Sequence, residues 1–203
     1  PSQKNIESEF INLYPPDENG VPRSPGFIHG IGHGILSWPN LYLKKALNDC
    51  DLLGGLYKGF CYNGVFMELA VSSTNPFPKN SSKLKLCEKL TDDQQKICAS
   101  YIPTLLLKWN SLNVQDIVIV CKQGHNELIR DRCLWAIGYR LAVGYTGNLE
   151  SILSECKHIK ETKWHDNCLI GAAQEVSFQH YSNWDHVGEG LCASVLISDT
   201  RNR

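Results

Sequence analysis

Two histidines, His29 and His33, stand four residues apart in the run Phe27-Ile28-His29-Gly30-Ile31-Gly32-His33-Gly34. On an α-helix that spacing stacks both imidazoles on one face, which is half of a metal site. The zincin motif needs an acid directly after its first histidine. Here Gly30 stands in that place and no acid lies between the pair, so metalloprotease chemistry is not indicated.

The cysteines carry the second chemical signal. The nine are Cys50, Cys61, Cys87, Cys98, Cys121, Cys133, Cys156, Cys168 and Cys192, spaced C-x10-C-x25-C-x10-C-x22-C-x11-C-x22-C-x11-C-x23-C. Short and long gaps alternate, and the first cysteine of each pair recurs after 37, 34, 35 and 36 residues, the period of a helical-hairpin repeat. No C-x-x-C occurs, which argues against zinc-ribbon, iron–sulfur and c-type haem chemistry. Disulfides at a fixed place in each repeat, Cys50 with Cys61, Cys87 with Cys98, Cys121 with Cys133 and Cys156 with Cys168, are the best reading. They imply an oxidising, extracytoplasmic setting, whether secreted, periplasmic or cell-surface. The Asn80-Ser81-Ser82 sequon is a candidate glycosylation site in that setting. Cys192 is left over, and the pair spacing puts its partner at about 203 or 204, so the natural chain is expected to continue past Arg203.

The repeat register supplies a third ligand for the histidines. Seven residues past the second cysteine of each pair stand Glu68, Leu105, Arg140 and Glu175. Counting back about 24 residues from Cys50 puts a cysteine-free unit near Gly26, whose column position is His33. Adjacent units then bring His33 beside Glu68, with His29 one turn away, a His-His-Glu set suited to a divalent transition metal such as zinc, iron or manganese. Arg140 and Glu175 would line a ligand groove in the same column. The alternative reading is purely structural: the histidines bond backbone carbonyls, and Glu68, Arg140 and Glu175 form a polar ladder, because buried charges must find partners. Gly26, Gly30, Gly32 and Gly34 each cost up to about 1 kcal/mol in a helix interior, so a ligand or a close neighbouring helix must gain from their small size.

Other chemistries are not indicated. No serine sits in a G-x-S-x-G setting, and oxidised cysteines cannot act as nucleophiles. His125, His158 and His165 fall near hairpin turns, and His180 and His186 flank a loop around Trp184. Trp109, Trp135, Tyr139 and Trp164 read as hairpin core. With 20 basic and 21 acidic residues among 203 and a net charge of −1, the chain has no footprint for nucleic acid. No nucleotide cofactor is expected, and no apolar run approaches the roughly 18 residues of a membrane helix.

The elements that must hold these residues are helices. Ser24-Pro25 reads as an N-cap and first-turn proline for a helix carrying the histidines. Helices are expected over 41–49, from 54–55 to about 70, from the capping box Thr91-Asp92-Asp93-Gln94 through Trp109, and over 114–122, 127–143, 149–159 and 164–181. Residues 71–82 and most of 1–23 read as loop or extended chain. Three residues after the second cysteine of each pair come Gly64, Tyr101, Ala136 and Gly171, mostly small side chains that let neighbouring helices approach. The expectation is an all-α fold: an extended segment 1–23, then residues 24–203 as a right-handed solenoid of about five disulfide-stapled αα-hairpins. It resembles Sel1 and TPR arrays in period and architecture, without the TPR signature residues.

The block from His29-Gly30-Ile31-Gly32-His33-Gly34 through Cys61-Tyr62-Asn63-Gly64-Val65-Phe66-Met67-Glu68 resembles a pattern in uncharacterised secreted or membrane-anchored proteins of archaea and bacteria, ammonia-oxidising archaea among them. The resemblance spans about 40 residues and brings no activity with it. It implies an extracytoplasmic protein, tethered by a segment outside this chain or associated with a larger envelope or membrane complex. Two functions follow as expectations: a helical-repeat binding or accessory subunit with a protein partner and a His/Glu metal site, or a metal-dependent enzyme using a His29/His33/Glu68 centre.

Overall fold

The computed structural model describes residues 12–13, 15–18, 24–37, 42–72, 83–110, 113–180 and 183–196. Every regular element among them is helical. The chain divides into two compact units, Pro1–Pro76 and Phe77–Arg203, a division that falls inside the segment 24–203 read from sequence as one repeat array. The Asn80 sequon and the place expected for a partner of Cys192 lie outside the described residues.

The first unit holds α1 (Pro25–Ser37), α2 (Leu43–Asp51) and α3 (Gly55–Val71). Helix α1 starts at Pro25, with the Ile28 amide donating to the Ser24 carbonyl, as the Ser-Pro pair predicts. Helices α2 and α3 form the hairpin closed by Cys50–Cys61. Its turn passes through Gly54 at φ 71°, a backbone region that side chains rarely enter, which is why glycine stands there. Ile28, Leu47, Cys61, Tyr62, Val65 and Phe66 are buried and make the core of this unit.

The second unit holds α4 (Lys85–Glu88), α5 (Asp92–Asn110), α6 (Val114–Lys122), α7 (Glu127–Gly144), α8 (Leu149–Cys156), α9 (Thr162–Gln179) and α10 (Trp184–Ala193). A short helix, a turn and a long helix recur, each pair joined near the turn by one disulfide: Cys87–Cys98, Cys121–Cys133 and Cys156–Cys168. The long helices pack on one another, α5 on α7 and α7 on α9. Asparagine side chains cap three helices by accepting from backbone amides: Asn113 from Asp116, Asn126 from Ile129 and Asn148 from Ser151, each at 2.9 Å. At α5, Gln94 Oε1 accepts from the Thr91 amide, the returning half of the capping box.

Two details depart from the sequence expectation. The residues around Trp184, expected to be a loop, begin helix α10, and Asn183 precedes it at φ 61° without a side-chain cap. Cys192 lies on that helix, exposed and unpaired. The polar column is also not a ladder of ion pairs. Among the described residues no ion pair joins Arg140 to Glu175. Instead the Arg140 guanidinium lies over the Tyr139 ring, 5.3 Å from its centroid, and the buried Glu175 carboxylate lies close enough to Tyr139 to raise the pKa of its phenol.

Candidate metal centre

The approach of α1 to α3 builds the site. A Cβ added at Gly32 would collide with the Cys61 carbonyl and lie 2.8 Å from the Val65 amide nitrogen, and one added at Gly64 would collide with the His29 carbonyl. These two glycines let the backbones touch. Gly26, Gly30 and Gly34 face open space, so only one of the four glycines of α1 is needed for packing. With the backbones in contact, His29, one turn before Gly32, and His33, directly after it, reach across to α3.

There they form a continuous chain of contacts. Glu68 Oε2 lies 2.9 Å from His33 Nδ1, His33 Nε2 lies 3.1 Å from His29 Nε2, and His29 Nε2 lies 3.3 Å from Met67 Sδ. The two imidazole centroids are 4.9 Å apart, as i and i+4 residues on one helix face require. Ser37, one turn beyond His33, donates its hydroxyl to the His33 carbonyl at 2.8 Å and lies near the Glu68 carboxylate. His33 and Glu68 are part-buried, with 28% and 25% of their side chains exposed, while Met67 is 41% exposed. The centre is therefore open to solvent at its Met67 edge.

Electrostatics fix the roles of the ring nitrogens. Hydrogen bonding from His33, first, together with Ser37 and the His33 charge, holds the Glu68 carboxyl below its ordinary range against the opposing effect of burial. Glu68 is thus an anion that accepts, which assigns the Nδ1 hydrogen of His33 to this bond and leaves His33 Nε2 with a lone pair when the ring is neutral. Burial, and then the neighbouring His33, push the His29 imidazolium toward its neutral form. The facing Nε2 atoms, 3.1 Å apart, form an ordinary hydrogen bond when His29 carries its hydrogen on Nε2, and present two lone pairs to a cation when it carries it on Nδ1.

Sequence reasoning brought His29, His33 and Glu68 together, and they are together. It did not give the geometry. Glu68 holds the nitrogen of His33 that points away from His29, so the three do not converge on one point, and no cluster of three or more His, Cys, Asp or Glu ligands exists among the described residues. Arg140 and Glu175 belong to the second unit and meet at Tyr139. The residue that sequence reasoning passed over is Met67, the one methionine of the chain.

The second unit contains the same helix pair with different side chains. A Cβ at Gly138 would strike the Cys168 carbonyl and approach the Ala172 amide, and one at Gly171 would strike the Trp135 carbonyl, matching Gly32 against Cys61 and Val65, and Gly64 against His29. In this register Trp135 corresponds to His29, Tyr139 to His33, Gln174 to Met67 and Glu175 to Glu68. Phe27 then takes the place of Cys133, one position later than the register counted from the cysteines. Trp135 Nε1 donates to Gln174 Oε1 at 3.0 Å, and the Trp135 and Tyr139 rings lie 5.6 Å apart.

No known protein family, curated protein or solved structure matches this chain.

Proposed function

We propose that this protein is an extracytoplasmic metal-binding module, acting as a binding or accessory subunit of an envelope or membrane complex, with its metal held by the histidines of α1. One observation carries the reading: the Nε2 atoms of His29 and His33 face each other at 3.1 Å while Glu68 occupies the opposite nitrogen of His33. A carboxylate on the far nitrogen of an imidazole is the usual outer partner of a metal-bound histidine, fixing its tautomer and raising its basicity. The four disulfides support an oxidising compartment. No described helix is long and apolar enough to cross a membrane. The recurring stapled hairpins support a repeat scaffold, which presents extended surfaces to partners, and a continuous right-handed stack is part of this proposal.

Elemental analysis of protein purified without a histidine tag tests the reading. The expected result is up to one transition-metal ion per chain, present as purified or after dialysis against metal and removal of excess, and lost in His33→Ala. Protein that takes up none of zinc, iron, manganese or copper overturns it. Co-purification from native membranes tests the accessory role, and a chain that is always monomeric and partnerless counts against that role.

A second reading, a metal-dependent enzyme at the same centre, has the solvent-open Met67 edge in its favour, because catalysis needs a free coordination position. Metal-loaded protein that exchanges a bound water and turns over a substrate, with both lost in His29→Ala, would support it.

A further inference from the structure

The metal-binding reading leaves open which metal, and the side chains around His29 answer that more narrowly than the histidines alone. We propose that Met67 is the third ligand, so that His29 Nε2, His33 Nε2 and Met67 Sδ form a soft three-donor site for copper(I). This inference rests on the metal-binding reading above and specifies its ligand set.

The position of Met67 is the first argument. It is the only methionine in 203 residues, and it stands on α3 with its sulfur 3.3 Å from His29 Nε2. Methionine in a protein interior usually fills irregular gaps, but this one is 41% exposed at the surface. Its placement calls for another use.

The second unit supplies the comparison. On the same glycine-mediated helix pair, Trp135, Tyr139 and Gln174 satisfy one another by ring packing and by a hydrogen bond. Packing on this scaffold is therefore met without a histidine or a methionine. In the first unit all three positions carry nitrogen or sulfur donors instead, while the glutamate is kept, at Glu175 and at Glu68.

Chemistry then selects the metal. Two neutral imidazoles and a thioether contribute no charge, and the one carboxylate nearby is on the outer side of His33. Thioether sulfur is a soft ligand that favours copper(I), whereas magnesium, calcium and manganese prefer oxygen donors. The separations fit as well. With metal–nitrogen bonds of about 2.0–2.1 Å and a metal–sulfur bond of about 2.3 Å, the 3.1 Å and 3.3 Å edges each correspond to an angle of about 100° at the metal. Small rotations of the two imidazoles and of the Met67 side chain would open the angles to trigonal values.

The test uses the whole chain in a Cys192→Ser background, which removes the exposed lone thiol as a competing copper ligand and leaves the four disulfides intact. Copper(I) affinity is measured anaerobically against bicinchoninate, with ascorbate as reductant, silver(I) serves as a redox-inert probe, and zinc(II) is titrated separately. One copper(I) and one silver(I) per chain are expected. Met67→Leu should weaken both by at least the roughly tenfold that loss of even an outer-shell partner costs, and change zinc(II) binding by much less. X-ray absorption of the copper(I) form should show one sulfur and two nitrogen neighbours, the sulfur absent in Met67→Leu. Circular dichroism checks that the variant keeps its helices. Unchanged copper(I) binding in Met67→Leu overturns this inference, as does zinc(II) binding tighter than copper(I), and both leave the metal-binding reading standing. Failure to bind any of the three removes this inference, and failure to take up iron and manganese as well removes the metal-binding reading with it.

Discussion

Gly64 lies directly beneath the carbonyl of His29, close enough that a single added methyl group would overlap the oxygen. The contact couples packing to chemistry, because the helix turn that carries the first imidazole is the turn that rests on this glycine. Gly64→Ala should force α1 away from α3 and cost about 1–3 kcal/mol, the usual price of overpacking a tight contact. Gly30→Ala should do the opposite. Nothing lies within 4 Å of a Cβ there, so exchanging a helix-interior glycine for alanine should stabilise by up to about 1 kcal/mol. Urea denaturation of the two variants checks the pair, and equal effects would refute the packing role of Gly64.

The disulfide pattern makes a second prediction. Peptide mapping without reduction should recover Cys50–Cys61, Cys87–Cys98, Cys121–Cys133 and Cys156–Cys168, with Cys192 alkylated as a free thiol. Each bridge closes a loop of 11 or 12 residues, so replacing both cysteines of one pair by alanine should lower stability by about 2–4 kcal/mol. Bridges between separate hairpins would contradict the helix-pair assignment.

Much of this arrangement is legible in the sequence because periodicity reports backbone neighbours. The alternating cysteine gaps give the hairpins, and the repeat register places Glu68 next to His33, although the true equivalence of the helices is one residue further along, with Phe27 where Cys133 stands. Periodicity carries no information about which imidazole nitrogen a carboxylate reaches, since that depends on ring rotation. Hence Glu68 reads as a ligand in the sequence and as a partner of the outer nitrogen in the structure. Met67 adjoins Glu68 in the chain, and its being the lone methionine was the available signal. Helix α10 escapes a reading built on caps and stripes, because Asn183 makes no capping bond and Gly188 and Gly190 interrupt the helix-forming run.

Gln95 offers a third test, on the scaffold alone. It is buried, its amide donates to the Leu90 carbonyl at 2.9 Å and to the Glu88 carbonyl at 3.3 Å, and its oxygen accepts from Asn126, the residue that caps α7. One side chain therefore ties the turn before α5 to the start of the next long helix. Gln95→Leu keeps the bulk but leaves these partners unsatisfied, and should cost about 1–3 kcal/mol. Thermal unfolding followed by circular dichroism measures it, and an unchanged midpoint would show that water replaces the lost bonds.

Tyr139 provides the pH-dependent prediction. Burial, and then the neighbouring Glu175 carboxylate, push its phenol up to about 12. A phenol held protonated in the folded state and ordinary, near 10, in the unfolded chain contributes stability that is complete below pH 10 and disappears as the pH rises toward 12. The sign follows from proton counting: between those values the folded chain binds more protons than the unfolded one, so stability falls with rising pH. Denaturation midpoints at pH 9 and at about pH 11 should therefore differ more in the wild-type protein than in Tyr139→Phe, which has no proton to lose at this position. Tyrosinate absorbance should agree, with one tyrosine that titrates near pH 12 in the folded protein missing from the variant. Identical pH slopes in the two proteins would mean that neither burial nor the nearby Glu175 holds the Tyr139 phenol protonated, and its upward shift would have to be given up.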